Sequence, residues 1–281
     1  MCVASSAGSG QGIRTYDCLQ DILSCAVRRG GGKKSVVIQK YVEPCLLLAG
    51  ARKFDIRAWV LVSNWNPLTV WMYEPYFRVC TEEHSLDAKS LANQYKHLCN
   101  RCVQVKNEDY DDADDAGGCM WSVESMREYL GKFGDGSALW SDIERQMMRI
   151  SMLVMHSVQD LIDNKPGCFE WFGLDFMVDV DFNVWNLECN ISPDLSKGTD
   201  VLERLVPNAF SKVWDMLLCK PPKEEERSRE DCWDLVFHGR GDCAFLLSTY
   251  MSTLYLSILV SLYVSQREGV RSRERNREGG R

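Results

Sequence analysis

An α+β fold, with antiparallel sheets and helices packed against them, is predicted by three features of the sequence. The first is FGLDFMVDVDFNVWNLECNISP, residues 172–193. It consists of two runs of alternating apolar and polar residues joined by a polar turn, the pattern of a hairpin. The second is another pair of alternating runs, residues 53–62 and 68–73, with Asn66 and Pro67 at the turn between them. The third is an apolar stripe at helical period across residues 141–164. A chain of 281 residues, 45% hydrophobic and 26% charged, is long and apolar enough for one large domain or two modest ones.

Along the chain, residues 1–13 are small and glycine-rich. Gly8, Gly10 and Gly12 suit either a linker or a close backbone approach to a phosphate. Residues 16–29 read as a helix with Leu19, Ile22, Leu23 and Ala26 on one stripe, stopped by Gly30, Gly31 and Gly32. Residues 36–42, VVIQKYV, read as a strand ended by Pro44. In KFDIRAWVLV, Lys53, Asp55 and Arg57 share one face, and Phe54, Ile56 and Ala58 share the other. Such a row is either an exposed face laced with ion pairs or a set of cations turned toward anionic oxygens. Arg78 closes the next segment, EPYFR. His97 in HLCN has no partner histidine at a catalytic spacing. The acidic, glycine-terminated residues 108–118 read as a mobile loop. They do not form an EF-hand, because the twelfth position counted from Asp112 is Val123.

The clearest helix covers residues 141–164. Ser141 and Glu144 suit a capping box. Ile143, Met147, Ile150, Val154, Val158 and Leu161 form the stripe, and Pro166-Gly167 ends it. After the 172–193 hairpin, Asp200 and Glu203 cap a last helix, broken at Pro207 and continued to about residue 218.

The hairpin carries the chemistry. With the turn centred on Asp181 and Phe182, Leu174, Phe176, Val178 and Val180 share a face with Trp185, Leu187, Cys189 and Ile191. Asp175, Asp179, Asn186, Glu188 and Asn190 occupy the other face. Asp175 then stands opposite Glu188, with Cβ atoms roughly 5 Å apart. Two like charges that close repel unless something neutralises them. A solvated polar face is one reading. A site for Mg²⁺, which takes oxygen ligands of these types, is the other.

Composition narrows the function classes. A net charge of −7 argues against a general nucleic-acid binder. Thirteen cysteines without a repeated spacing or a secretory signal indicate reduced thiols in a cytosolic protein. Cys99 and Cys102 make one CxxC with no second pair, too little for a zinc site. Residues 219–243 read as a charged linker. Residues 244–264 then run without a charge into an Arg-rich end. That run is long enough for a membrane anchor, but about a third of it is Ser or Thr, so a docked or poorly specified tail is preferred.

VIQKYV, KFDIR, the Arg of EPYFR, HLCN, FGLDF and LECNISP stand in an order and spacing that resemble the tubulin–tyrosine ligase-like enzymes, over roughly residues 1–218. The tract NWNPLTVWMY, HLCN and the MWS at Met120 look like the glycylase branch rather than the glutamylases. The resemblance implies the C-terminal part of an ATP-grasp fold, with an N-terminal domain missing. It implies ATP and Mg²⁺, and a ligase that joins glycine to glutamate side chains of tubulin tails in the cytoplasm, on the microtubule cytoskeleton of a cilium or flagellum.

By resemblance, Gln39, Lys40, Tyr41 and Val42 line the adenine. Gly10 and Gly12 belong to the phosphate loop. Lys53, Asp55 and Arg57 face the phosphates and the reacting centre, and Arg78 holds the γ-phosphate. Cys99 and Asn100 contact the ribose end or the phosphates, and Asp175, Glu188 and Asn190 bind Mg²⁺. Val3-Ala4 stands where relatives have Lys-Pro, and Ala7 and Ser9 stand where they have Lys and Arg. Those departures imply weak ATP binding and slow or no ligation by this chain alone. They keep open an inactive, microtubule-binding relative, and a glutamate ligase of the same family is the other alternative.

Overall fold

The computed structural model describes residues 2–5, 12–30, 36–115, 117–218 and 233–239. They divide into two compact units, one within residues 1–41 and 87–92, the other within 42–86 and 93–240.

In the first unit, β1 (Cys2–Ser5) lies between β2 (Arg14–Thr15) and β3 (Val36–Gln39), all antiparallel. Helix α1 (Leu19–Gly30) buries Ile22 and Cys25, against which Tyr16 and Ile38 pack. Leu19 and Leu23, expected on the buried stripe, are 61% and 47% exposed. The strand stops at Gln39, short of the expected residue 42. Gly12 has a φ of +86°, a conformation that needs glycine.

The second unit is built on β5 (Arg52–Trp65), a 14-residue strand buried at almost every position. One edge of β5 pairs first with β7 (Tyr76–Glu83) and then with β6 (Leu68–Met72). Its other edge pairs with β9 (Glu170–Val178), which pairs in turn with β10 (Val184–Asn190). Short β4 (Leu47–Leu48) and β8 (Met120–Trp121) extend the sheet beside β5 and β7. All these pairings are antiparallel, so the α+β, ATP-grasp-like class with antiparallel sheets and packed helices is the one observed.

Each face of the sheet has its helix. Helix α4 (Gly136–Val158) covers the Phe54–Ile56 face, where Trp140 meets Phe77 with ring centroids 5.4 Å apart. Its Gln146 also clasps the hairpin: Nε2 donates to the Phe182 carbonyl at 2.9 Å, and Oε1 accepts from the Val184 N–H at 3.0 Å. The helix begins earlier than the capping box at Ser141 suggested. Asp135 caps it by accepting from the Ser137 and Ala138 N–H groups, while Ser141 sits inside and donates to the Ser137 carbonyl. Leu161 lies beyond the helix and is 69% exposed. Upstream, Ser122 caps α3 (Val123–Leu130).

On the opposite face, α5 (Asp200–Leu218) packs Val201, Leu202, Leu205, Val206, Ala209 and Val213 against Trp59, Leu61, Trp71, Tyr73 and Tyr76. Thr199, rather than Asp200, caps this helix, its Oγ1 accepting from the Leu202 N–H at 3.2 Å. The helix also runs through Pro207 without a break. Burial of its apolar face on both sides of the proline outweighs the missing hydrogen bond.

The stretch expected to be a charged linker supplies a strand. β11 (Asp234–Gly239) pairs with β6, and Trp233 just before it is 5% exposed. Its Nε1 donates to the Ala209 carbonyl at 3.1 Å, and its ring meets Tyr73 and Trp171 at 5.2 and 5.1 Å. The apolar run 244–264 lies outside the described residues; among those described, no helix is long and apolar enough to cross a membrane. The acidic loop expected to be mobile is tied to the sheet. Arg52 donates to the Gly117 and Gly118 carbonyls at 3.0 and 3.2 Å, and Asp114 accepts from the Ser122 N–H.

Candidate active site

On the α5 side of the sheet, antiparallel pairing stacks side chains in rows, because directly paired residues point the same way. Asp55 pairs with Arg78. Tyr76, Arg57, Asp175 and Glu188 form the next row, and Trp59, Gly173 and Asn190 the row after that. The row Lys53, Asp55, Arg57 is therefore one flank of a buried lattice and not an exposed face; these three residues are 7%, 6% and 7% exposed.

The register that sets Glu188 opposite Asp175 is the expected one, reached by a different route. The turn is odd: the Asp179 N–H donates to the Asn183 carbonyl around Val180, Asp181 and Phe182, with Phe182 at a φ of +62°. That loop alone shifts every pair by one residue, so Val184 faces Val178. A bulge at Leu187, between Asn186 and Glu188, restores the Asp175–Glu188 pairing. Asp179 acts as the turn's organiser, its carboxylate accepting from Asp181, Asn183 and Trp185. The expected apolar face of the second strand is largely open, with Cys189 exposed and Ile191 82% exposed.

The charges interlock. Arg78 makes a two-pronged contact with Asp55 at 2.7 and 2.8 Å and reaches Asp175 Oδ2 at 2.9 Å. Arg57 grips the same Asp175 through Nε and, at 3.1 Å, through Nη2. Burial works to raise the Asp175 carboxyl, but Arg78 and Arg57 outweigh it and hold the group at about 2. Asp55 has one close cation, and there burial prevails and pushes the carboxyl up. Arg78 is held charged, well above its usual range, because two carboxylates offset its burial. Partial desolvation, then the Asp175 charge and a hydrogen bond shared with it, push Glu188 up. Asn190 Nδ2 donates to the Gly173 carbonyl at 3.3 Å and to Glu188 Oε1 at 3.2 Å, so its amide oxygen remains an acceptor.

These donors suit a hard divalent cation. Two opposed carboxylates, one of them made reluctant to ionise by desolvation and by the charge of the other, gain from a positive ion between them. Among the described residues no cluster of three or more His, Cys, Asp or Glu groups suits a metal. The set therefore depends on the amide of Asn190 beside two carboxylates.

The other expected site residues fall as follows. Lys53 Nζ donates to the His97 carbonyl at 2.8 Å, which ties the HLCN segment to the head of the row. His97 is buried and packs edge-on against His84. Asn100 precedes the short α2 (Arg101–Gln104). Cys99 is buried with its Sγ 3.5 Å from that of Cys80, and burial pushes its thiol well up, so it behaves as packing. In the first unit, Gln39 is half-buried at the end of β3, Lys40 is exposed and Tyr41 is buried; Val42 opens the second unit and is half-buried. Gly12 is exposed, and Gly8, Gly10 and Ala7 lie outside the described residues. Val3 is paired with Arg14 across β1 and β2, which sets a cation on the strand beside it.

Sequence reasoning passed over Tyr76, Gly173 and Pro193. Tyr76 lies in the Arg57 row, 5% exposed, its ring 5.7 Å from that of Trp59, and burial pushes its hydroxyl up. Glycine inside a strand was the available signal for Gly173.

Residues 3–228 match the tubulin-tyrosine ligase family. Tubulin glycylase 3C of Tetrahymena thermophila is 36% identical over 225 residues, covering 79% of this chain and 20% of that protein. Human protein monoglycylase TTLL8 is 38% identical over 201 residues, covering 70% of this chain and 23% of the relative. Tubulin monoglycylase TTLL3 of Danio rerio is 35% identical over 211 residues, covering 70% and 26%. The chain thus spans about a fifth to a quarter of the length of these relatives. With most of its length matched, and with the ATP-grasp-like sheet carrying its buried charge lattice, the chain belongs to the tubulin-tyrosine ligase family.

Proposed function

We propose that this chain carries the catalytic centre of an ATP-dependent ligase that adds glycine to glutamate side chains of tubulin tails. The observation that carries the reading is the buried lattice of Arg57, Arg78, Asp55 and Asp175 beside Glu188 and Asn190. The names of the similar glycylases support the choice of glycine and of tubulin.

A carboxylate is a poor acyl donor at neutral pH. Transfer of the γ-phosphoryl group of ATP to the acceptor glutamate releases ADP and gives an acyl phosphate. The glycine amine attacks its carbonyl carbon, phosphate leaves, and the amine proton passes to solvent. In this reading Arg57 and Arg78 bind the charge spread over the transferring oxygens, and their ion pairs with Asp55 and Asp175 support it by fixing them beforehand. Lys53, seated on the His97 carbonyl, is the third cation of that face. Asp175, Glu188 and Asn190 would hold Mg²⁺, whose part is to neutralise phosphate charge. Gln39, Lys40, Tyr41 and Val42 are proposed for the adenine, Gly10 and Gly12 for the phosphates, and Cys99 and Asn100, through their backbone and amide groups, for the ribose end. The site of action is the microtubule cytoskeleton, including cilia.

The test is incorporation of radiolabelled glycine into microtubules by the purified chain with ATP and Mg²⁺. Slow incorporation is expected, lost in Arg57→Ala. Label from glutamate but not from glycine would make it a glutamate ligase. Microtubule binding with neither label incorporated would make it a non-catalytic relative, the reading that Val3 and Ala7 favour.

A further inference from the structure

Gly173 sits in the interior of β9, between Trp59 on one neighbouring strand and Asn190 on the other. Its φ lies outside the left-handed region, so its backbone does not demand glycine. The space around it does. A Cβ there would lie 2.8 Å from Pro193 Cβ and 3.4 Å from both Cδ and Nη1 of Arg57. The first distance forces a shift. The second pair is tight contact against a guanidinium already fixed at both Nε and Nη2 by Asp175.

We propose that Gly173 is a positioning residue. Its missing side chain lets Arg57 lie flat across β9 to reach Asp175, and it lets Pro193 close over the same spot. A side chain at this position presses on Arg57 and disturbs its grip on Asp175. The consequence for catalysis rests on the reading of Arg57 given above; the positioning itself does not.

The experiment separates the two. All variants carry Pro193→Gly, which removes the Cβ that would meet a new methyl group, so that Arg57 is the remaining obstacle. Gly173→Ala is then introduced with Arg57 present and with Arg57→Ala, and the denaturant midpoint is measured for all four proteins. The expected result is a clear fall in midpoint when Arg57 is present and little change when it is absent, the signature of coupling between neighbours. Equal falls in both backgrounds, or no fall in either, would overturn the proposal. Turnover and ATP affinity are measured on the pair that retains Arg57. The expected split is a loss of roughly tenfold or more in kcat with ATP affinity nearly unchanged. Coupled midpoints with undiminished kcat would leave the positioning role standing and remove Arg57 from the reacting centre.

Discussion

Replacing Glu188 with Gln tests the proposed metal site while leaving the fold in place. Glu188 is exposed on the last strand of the lattice, so the change opens no cavity. Its carboxyl is held above its ordinary value by desolvation and by Asp175 across the ladder. A carboxyl raised on folding contributes stability below its unfolded value and loses it as pH rises through the folded one. At neutral pH the ionised Glu188 therefore works against the apo fold, and Gln removes that repulsion. Like charges set directly across a ladder cost about 0.5 kcal/mol, so the variant should be more stable by about that amount at pH 7. The gap should close by about pH 4, where the wild-type carboxyl is protonated. Mg²⁺-dependent ATP affinity should fall on the order of a hundredfold, since even supporting residues of metal sites cost 10–100-fold. Calorimetric titration of ATP with and without Mg²⁺, with denaturant melts at both pH values, provides the readout. Unchanged Mg²⁺-dependent affinity would refute the metal assignment; a destabilised variant at pH 7 would refute the repulsion.

Arg57→Ala should lower kcat by orders of magnitude while ATP affinity moves little, as steady-state kinetics beside a nucleotide titration would show; equal losses would make Arg57 an ordinary ATP contact. Asp175 is held at about 2, so its pH-dependent contribution, about 2 kcal/mol, is present above pH 4 and lost as pH falls toward 2. Asp175→Asn should be markedly destabilised at pH 7 and flatten that acid limb in melts taken across the range; a limb of unchanged steepness would contradict the pairing. Trp233→Ala should cost about 3–5 kcal/mol in denaturant melts, because it empties a site shared with Tyr73 and Trp171. Deleting residues 222–281 should therefore destabilise the core, whereas deleting 241–281 should leave a cooperative transition; indistinguishable melts would mean β11 contributes nothing.

Periodicity alone determined much of this protein. Alternation assigned Lys53, Asp55 and Arg57 to one face of a strand, and Asp175, Glu188 and Asn190 to one face of a hairpin, because side-chain direction along a strand is a local property. The apolar stripe from Ile143 through Val154 was equally local, and those residues are buried. What the sequence left open was set by contacts between distant segments. The pairing of β7 with β5 brings Arg78 onto Asp55 and Asp175, and no local pattern in EPYFR encodes that partner. The turn at Phe182 is odd and the bulge at Leu187 corrects it; two opposite slips leave the alternation looking regular. β11 was hidden in a charged stretch because its strand is short and its stability comes from β6 and from the pocket around Trp233. Burial made the final difference. The same row of charges on an open sheet would be a weak surface network, whereas buried it is a fixed array, since breaking one of its pairs would leave an uncompensated charge in the interior.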